Sequence, residues 1–138
     1  MALDGRVLRE RLDLLVTGMT SLRHDGRFNE PNLDGSPGDY ISFNAWEWPQ
    51  GIGFYGLVRL WKHTGDRALR TLIERWYADR LAEGLPPLNI NTTAPMLALS
   101  LLWRETRDTR WKEALDGWAD RLMTEFPRTQ EGGFPHIV

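Results

Sequence analysis

The chain has 138 residues, of which 41% are hydrophobic and 26% charged, a balance typical of a folded domain and not of a disordered chain. Its formal net charge of -2, with basic and acidic residues interleaved, argues against a nucleic-acid partner. Cysteine is absent, which excludes disulfides and thiolate chemistry, and no other residues have the spacing of metal ligands. We therefore expect neither a metal nor a cofactor.

The N-terminus lacks the apolar core and small-residue cleavage site of a secretory signal. The longest nearly unbroken apolar run, from Ala94 to Trp103, is much shorter than the roughly 20 residues that span a bilayer. We therefore expect a soluble, cytoplasmic protein without a membrane partner. Nothing in the sequence indicates its oligomeric state.

The first part of the chain predicts one helix followed by a long loop. Apolar residues recur at helical spacing through residues 4–21, so we expect an amphipathic helix with one buried face. Residues 23–47 are rich in Asp, Asn, Gly and Pro, which indicates a loop of a length that is often functional. Within it, Tyr40, Ile41 and Phe43 suit a short extended piece.

A second helix is predicted to begin near Pro49, because proline suits the first turn of a helix. The run that follows is apolar on nearly every side, which is typical of an inner helix. It contains Gly51, Gly53 and Gly56, and each glycine weakens a helix by up to about 1 kcal/mol relative to alanine. A close approach by neighbouring helices would explain that cost.

Three further helices follow in the order outer, inner, outer. Gly65 can end the second helix in a left-handed conformation, and a charged third helix then extends to about Leu81. A second loop at 83–91 leads to an apolar inner helix, in which Thr92 or Thr93 would be the N-cap and Pro95 would lie in the first turn. A fifth, amphipathic helix ends before a third loop. That helix is defined by Trp111, Ala114, Leu115, Trp118 and Leu122.

Residues 46–122 contain the same helix pair twice. When residue 57 is placed on residue 99, a shift of 42, six residues coincide with identical ones. Such a repeat indicates stacked helix pairs, none of which buries its apolar face alone. The matched pairs are Leu57 and Leu99, Leu60 and Leu102, Trp61 and Trp103, Thr64 and Thr106, Asp66 and Asp108, and Trp76 and Trp118.

Alternate connections of such a stack lie at the same end, because successive helices are antiparallel. The two short turns are therefore predicted at one end, which we call the turn end. The three long loops are predicted at the other, the loop end, with segments 44–50, 89–93 and 132–136. These segments carry tryptophan, amide, hydroxyl and imidazole groups. Aromatic rings stack on sugar rings while amides bond sugar hydroxyls, so the loop end favours a carbohydrate ligand.

Four motifs in these segments resemble the unsaturated glucuronyl and rhamnogalacturonyl hydrolases, glycoside hydrolase families 88 and 105. They are WEWPQGIGFYGL at 46–57, TGD at 64–66, NINTTAP at 89–95 and PRTQEGGFPH at 127–136. The resemblance implies an all-α fold, part of an (α/α)6 toroid of antiparallel helix hairpins. Residues 1–138 would be a single domain of about five helices, an N-terminal fragment incomplete at its C-terminus.

The resemblance also implies an activity, the hydrolysis of oligosaccharides that end in a 4,5-unsaturated uronic acid, as in pectin and rhamnogalacturonan breakdown. In that family an aspartate protonates the enol ether double bond and water adds at C5, giving a hemiketal that opens and releases the next sugar. The family's acid follows the Gly-Gly-Phe-x-His loop, so the catalytic aspartate is expected beyond Val138. The 138-residue chain by itself is expected to be inactive.

The matched positions imply contacts with the substrate, an unsaturated uronyl oligosaccharide whose exact identity the sequence does not indicate. Trp46 and Trp48 would be platforms for sugar rings, and His136 would lie near the uronate. Some relatives have an aspartate in the loop before the second inner helix, where this chain has none, so a two-carboxylate site is not expected. The hydrogen-bonding groups would be Gln50, Asn89, Asn91 and Thr92.

Each of these residues also has a structural interpretation. A loop tryptophan can plug the end of a barrel, and asparagine commonly caps a helix or holds a turn. Glu47 and Glu131 are the acids nearest the loop-end motifs, but loop carboxylates are usually solvated with an ordinary pKa, which disfavours them as catalytic acids. For the whole chain, the alternatives are a non-catalytic α-solenoid that binds proteins and a lectin-like binding module.

Overall fold

The computed structural model describes residues 4–27, 31, 35 and 38–135, which contain five α-helices. They fall in two compact units, Met1–Ala45 and Trp46–Val138. None of these helices combines the length and apolarity needed to cross a membrane. The helices are α1 (Gly5–Ser21), α2 (Trp48–Thr64), α3 (Arg67–Glu83), α4 (Ile90–Thr106) and α5 (Thr109–Thr124).

The first unit contains α1 and the segment after it. The Asp4 side chain caps α1 by accepting a hydrogen bond from the Arg6 N–H at 2.8 Å, as the helix prediction for residues 4–21 requires. The predicted buried face is wrong, however, because no residue of α1 is buried. Two residues of that face, Leu8 and Leu15, are 44% and 69% exposed, and the other three, Leu12, Val16 and Met19, are only half-buried.

The extended piece predicted around Tyr40, Ile41 and Phe43 is also wrong, since residues 40–44 form bends and a turn. The Asp39 carboxylate accepts hydrogen bonds from the backbone N–H groups of Ile41 and Ser42, at 3.0 and 2.8 Å. Such a side chain closes a local turn and so competes with extended structure.

In the second unit, α2 packs against α3 and α4, and α4 packs against α5. The repeat found in the sequence is a repeat of geometry too. The hydroxyl of Thr64 donates to the Leu60 carbonyl at 2.8 Å, and the hydroxyl of Thr106 donates to the Leu102 carbonyl at 2.9 Å. The second unit is therefore two antiparallel helix pairs in succession, α2 with α3 and α4 with α5.

The aspartates of the two short turns act alike as well. The Asp66 carboxylate accepts from the Ala68 N–H at 2.8 Å and caps α3, while that of Asp108 accepts from the Arg110 N–H at 3.0 Å and caps α5. The residue before each aspartate has a left-handed backbone, with φ of 70° at Gly65 and 57° at Arg107. The turn therefore keeps its shape although arginine replaces glycine.

An aromatic cluster forms the centre of the second unit. The rings of Phe54 and Trp76 have centroids 4.2 Å apart, and those of Trp76 and Tyr77 are 5.0 Å apart. The Tyr77 hydroxyl is buried and donates to the Pro95 carbonyl at 2.7 Å, which joins α3 to α4. Burial raises the pKa of Tyr77 well above its ordinary value, so this phenol stays protonated and remains a donor.

Gly51, in the first turn of α2, lies at a close contact between helices. A Cβ atom on Gly51 would lie 2.7 Å from the carbonyl carbon of Ala94 and 2.7 Å from the nitrogen of Pro95, distances that real Cβ atoms do not show. The predicted close approach is therefore confirmed at Gly51. It is wrong for Gly56, where a Cβ atom would meet nothing within 4 Å.

Candidate functional site

A hydrogen bond joins two of the predicted loop segments, and a second one ties α5 to the same place. The indole N–H of Trp46 donates to the Thr92 carbonyl at 2.8 Å, which places the start of α2 beside the first turn of α4. The indole N–H of Trp118, in the second half of α5, donates to the Thr93 hydroxyl at 3.2 Å. The structure therefore brings together two of the three predicted loop-end segments, 44–50 and 89–93.

The opposite end is tied by a salt bridge between the last turns of α2 and α4. The Lys62 Nζ atom lies 2.5 Å from the Glu105 Oε1 atom. Because the short turns at 64–66 and 106–108 directly follow these residues, both lie at the turn end, as predicted.

The third long loop follows α5 and is anchored by aromatic contacts. Phe126 is buried and packs edge to face on Phe134, with ring centroids 5.2 Å apart. The Arg128 guanidinium lies over the same Phe134 ring at 3.6 Å, and a backbone hydrogen bond from the Thr129 N–H to the Gly133 carbonyl closes the turn. His136, the predicted uronate contact in this loop, lies outside the described residues.

The start of α4 differs from the prediction. Asn89 is the N-cap, in place of Thr92 or Thr93, so the second loop is shorter and Pro95 lies inside the helix instead of in its first turn. The physical reason is a reciprocal capping box. The Asn89 side chain accepts from the Thr92 N–H at 2.9 Å, and the Thr92 hydroxyl accepts from the Asn89 N–H at 3.1 Å.

This capping box also determines what two of the predicted site residues do. Thr92 is 2% exposed, and its hydroxyl donates to the Pro87 carbonyl at 2.8 Å, so its polar atoms are engaged within the protein. Asn89 is half-buried with its side-chain oxygen in the cap. Both residues shape the loop end, and their contact with a substrate stays a prediction.

Asn91 differs from its neighbours in this turn. It is half-buried, and its side chain forms no hydrogen bond to any residue that the structure describes. Its backbone carbonyl has no helical donor four residues on, because Pro95 has no N–H. Asn91 is therefore the predicted amide with hydrogen-bonding capacity left for a ligand.

The two predicted tryptophan platforms have different environments. Trp46 is half-buried and stacks on Trp76, with centroids 5.4 Å apart, and its indole N–H is already bonded. Trp48 is the first residue of α2 and is 47% exposed. The structure thus packs Trp46 into the aromatic cluster, whereas Trp48 presents its ring at the loop end.

Two polar residues beside Trp48 are buried. Gln50 is 4% exposed and Glu47 is 7% exposed. The expectation of a solvated Glu47 is therefore wrong, and its Oε2 atom has no hydrogen-bond partner among the described residues. Burial raises the pKa of Glu47 above its ordinary value of 4.5, opposed in part by a hydrogen bond from the Trp48 backbone. Glu131 is exposed, as expected.

An apolar hollow between α2 and α4 was not foreseen from the sequence. It has a volume of about 210 Å³. Ile52 and Tyr55 on α2 are 62% and 40% exposed, and Leu97 on α4 is 57% exposed, although both helices were predicted to be inner helices. The sequence signal that could have indicated this hollow is the spacing of residues 48, 52 and 55, which places them on one face of α2. The hollow is lined by Gly51, Ile52, Tyr55, Ala94 and Leu97.

The loop end thus combines an exposed indole, a half-buried amide without a partner and an adjoining apolar hollow. Apolar walls with a few placed polar groups are typical of small-molecule sites. Within residues 4–27, 31, 35 and 38–135, no three His, Asp or Glu side chains come close enough to hold a metal ion.

The helix pairs define a fold class, since they form part of an (α/α)6 toroid shared with solved structures of possible glycoside hydrolases. The chain belongs to glycosyl hydrolase family 88, whose family model matches residues 23–137. A curated relative is the unsaturated rhamnogalacturonyl hydrolase YesR of Bacillus subtilis strain 168, 33% identical over 94 residues, which are 68% of this chain and 27% of that protein.

Two solved structures share the fold over the whole of this chain. One is a possible member of glycoside hydrolase family 105 from Klebsiella pneumoniae, with a TM-score of 0.90 and 33% identity, of which the chain covers 36%. The other, also a possible member of family 105, is from Salmonella enterica, with a TM-score of 0.91, 34% identity and 37% coverage. The chain therefore spans between a quarter and two fifths of these relatives.

Proposed function

We propose that this chain is part of a hydrolase for oligosaccharides that carry a 4,5-unsaturated uronic acid at the non-reducing end, and that it supplies part of the substrate-binding rim. The family match and the relative named for unsaturated rhamnogalacturonyl hydrolysis support the reaction class. Substrates of the pectin and rhamnogalacturonan type, and a cytoplasmic location, belong to the same proposal.

The observation that carries the binding role is the hydrogen bond from Trp46 to the Thr92 carbonyl, which fixes the start of α2 beside the first turn of α4. It brings the exposed ring of Trp48 and the unpartnered amide of Asn91 to the same end of the helix pairs. The indole face suits the C–H face of a sugar ring, and the amide suits its hydroxyl groups.

In this proposal the chain binds and the catalytic acid comes from elsewhere. Hydration of the unsaturated ring needs a proton at C4 and a water oxygen at C5, followed by opening of the hemiketal and release of the next sugar. A general acid for such a step needs a carboxyl group that reaches the reacting atoms. Glu47 is the buried acid at this end, and its Oε2 atom is not exposed to solvent. We therefore assign Glu47 no catalytic role.

Binding is tested by calorimetric titration of the 138-residue chain with an unsaturated galacturonosyl-rhamnose disaccharide. Trp48→Ala should weaken binding about tenfold, or about 1.4 kcal/mol, since a stacking platform is lost. Trp61→Ala is the matched control, because Trp61 lies in the last turn of α2, toward the turn end. An equal effect of both variants, with folding verified by circular dichroism, would contradict the proposal.

Turnover is followed by loss of the ultraviolet absorbance of the unsaturated uronate. The chain alone is expected to bind the disaccharide without consuming it. Consumption would show that an acid within the chain suffices, whereas equally tight binding of unrelated neutral sugars would favour the lectin-like alternative. No binding of any sugar would overturn the carbohydrate proposal.

A further inference from the structure

One methionine at the end of α5 is accessible to small reagents. Three of the four methionines of the chain lie among the described residues. Met123, in the last turn of α5, is 70% exposed, whereas Met96 is 6% exposed and Met19 is half-buried. Peroxides oxidise the thioether of an accessible methionine, and burial protects the other two. Met123 is therefore the methionine of this set that an oxidant reaches first.

The sulfur atom of Met123 has a specific neighbour, the Arg128 side chain. The Arg128 Nη2 atom donates to the Met123 Sδ atom at 3.5 Å. The same guanidinium lies over the Phe134 ring at 3.6 Å, and its Nη1 atom donates to the Gly132 carbonyl at 3.3 Å. Arg128 thus connects the last turn of α5 to the third loop through a thioether, which is a weak acceptor.

Oxidation would turn this weak acceptor into a strong one. A lone pair of the thioether sulfur forms a bond to one oxygen of hydrogen peroxide while the O–O bond breaks. The sulfur loses two electrons and becomes a sulfoxide, and the proton of the transferred oxygen passes to the departing hydroxide, which leaves as water. The sulfoxide is polar. Because Met123 is exposed, the added oxygen disturbs no buried packing.

We propose that Met123 is an oxidation site, and that its sulfoxide accepts a hydrogen bond from Arg128 and holds the third loop more firmly on the end of α5. Arg128 is kept in place before oxidation by Phe134, which packs on the buried Phe126. The three rotatable bonds of methionine let the sulfoxide oxygen turn toward the guanidinium. A hydrogen bond from a charged donor to oxygen is strong. This contact involves no sugar and is independent of the proposed function.

The test begins with oxidation of the 138-residue chain by dilute hydrogen peroxide, followed by peptide mass spectrometry. Met123 should be oxidised about tenfold faster than Met96, or more, because burial restricts access. Hydrogen exchange is then compared in the oxidised and the reduced chain over residues 127–135, where the Thr129 and Gly132 amides are hydrogen-bonded. Exchange should be roughly two- to tenfold slower after oxidation, the effect of one added hydrogen bond to a charged donor.

Met123→Leu is the matched control, because leucine is apolar, of similar size and not oxidised by peroxide. Exchange in its third loop should be the same with and without peroxide. Arg128→Ala should still be oxidised at Met123 but should lose the slowing, whereas Arg128→Lys should keep part of it, since lysine also donates. Reduction of the sulfoxide by methionine sulfoxide reductases should restore the original rate.

Each possible failure has a distinct signature. Oxidation of Met96 as fast as Met123 would overturn the assignment of the site. Exchange over residues 127–135 that is unchanged or faster after oxidation would show that the sulfoxide does not bind Arg128. Slowing that persists in Arg128→Ala would lead to the same conclusion, because the comparison is made within one variant and does not depend on its stability.

Discussion

At the scale of single residues, Glu47 is the least expected feature of the chain. It is the N-cap of α2, yet its side chain makes no capping hydrogen bond and is 7% exposed. Burying a carboxyl group with an unpaired oxygen costs free energy, more so when the group is ionised. A carboxylate in a loop is usually exposed to water. Glu47 is buried only because other residues of the second unit pack around it.

This burial predicts a pH dependence of stability. Because the pKa of Glu47 is raised in the folded protein, the folded state binds more protons than the unfolded state between the ordinary value of 4.5 and the raised pKa. The contribution of Glu47 to the free energy of unfolding therefore decreases as pH rises through that window. Glu47→Gln should be more stable than the parent at pH 7, by on the order of 1 kcal/mol, and the difference should vanish below pH 4.

Urea unfolding at several pH values measures this difference. Glu131→Gln serves as the control, because Glu131 is exposed and its substitution should leave the free energy of unfolding unchanged at every pH. A Glu47→Gln variant that is less stable than the parent at pH 7 would show that the carboxylate has a stabilising partner.

At the scale of elements, α2 contains two glycines whose replacement should have opposite effects. Gly51→Ala should destabilise the protein by about 1–3 kcal/mol, because the new Cβ atom would lie 2.7 Å from backbone atoms of α4. Gly56→Ala should stabilise it by up to about 1 kcal/mol, because that position is exposed, helical and free of neighbours within 4 Å. Thermal or urea unfolding of the two variants, each the control of the other, checks both signs.

A stabilising effect of Gly51→Ala would mean that α2 and α4 are not held in contact at Gly51.

The turns show how far such elements follow from the local sequence. The Thr-x-Asp pattern predicted the boundaries at 64–66 and 106–108, and the structure gives both turns a left-handed central residue. The start of α4 did not follow, because Asn89, Thr92 and Thr93 can all cap a helix and tertiary contacts select among them.

At the scale of the whole molecule, the two units should differ in local stability. No residue of α1 is buried, whereas each of α2, α3, α4 and α5 has buried residues. A helix of 17 residues without buried contacts is only marginally stable in water. In hydrogen exchange measured by mass spectrometry, α1 amides should exchange much faster than those of α4. Equal protection of both helices would contradict this prediction.

What the sequence determined by itself was the helical pattern, the repeat and the end at which the loops meet. These follow from local causes, namely the 3.6-residue period of apolar side chains, the capping residues, and the reversal of direction at each short turn. The four motifs carried the family resemblance, which the comparisons confirm over residues 23–137. None of these inferences required the position of a side chain in space.

Only the tertiary structure decided which loop-end groups are available to a ligand. Trp46 and Trp48 are two residues apart, yet one stacks in the aromatic cluster and the other is exposed. Thr92 forms the hydrogen bonds of a capping box, whereas the side-chain amide of Asn91 has no hydrogen-bond partner among the described residues. The hollow exists because two helices distant in sequence meet at Gly51. Accessibility depends on which neighbours pack against a residue, and a periodic pattern carries no information about contacts between helices 40 residues apart.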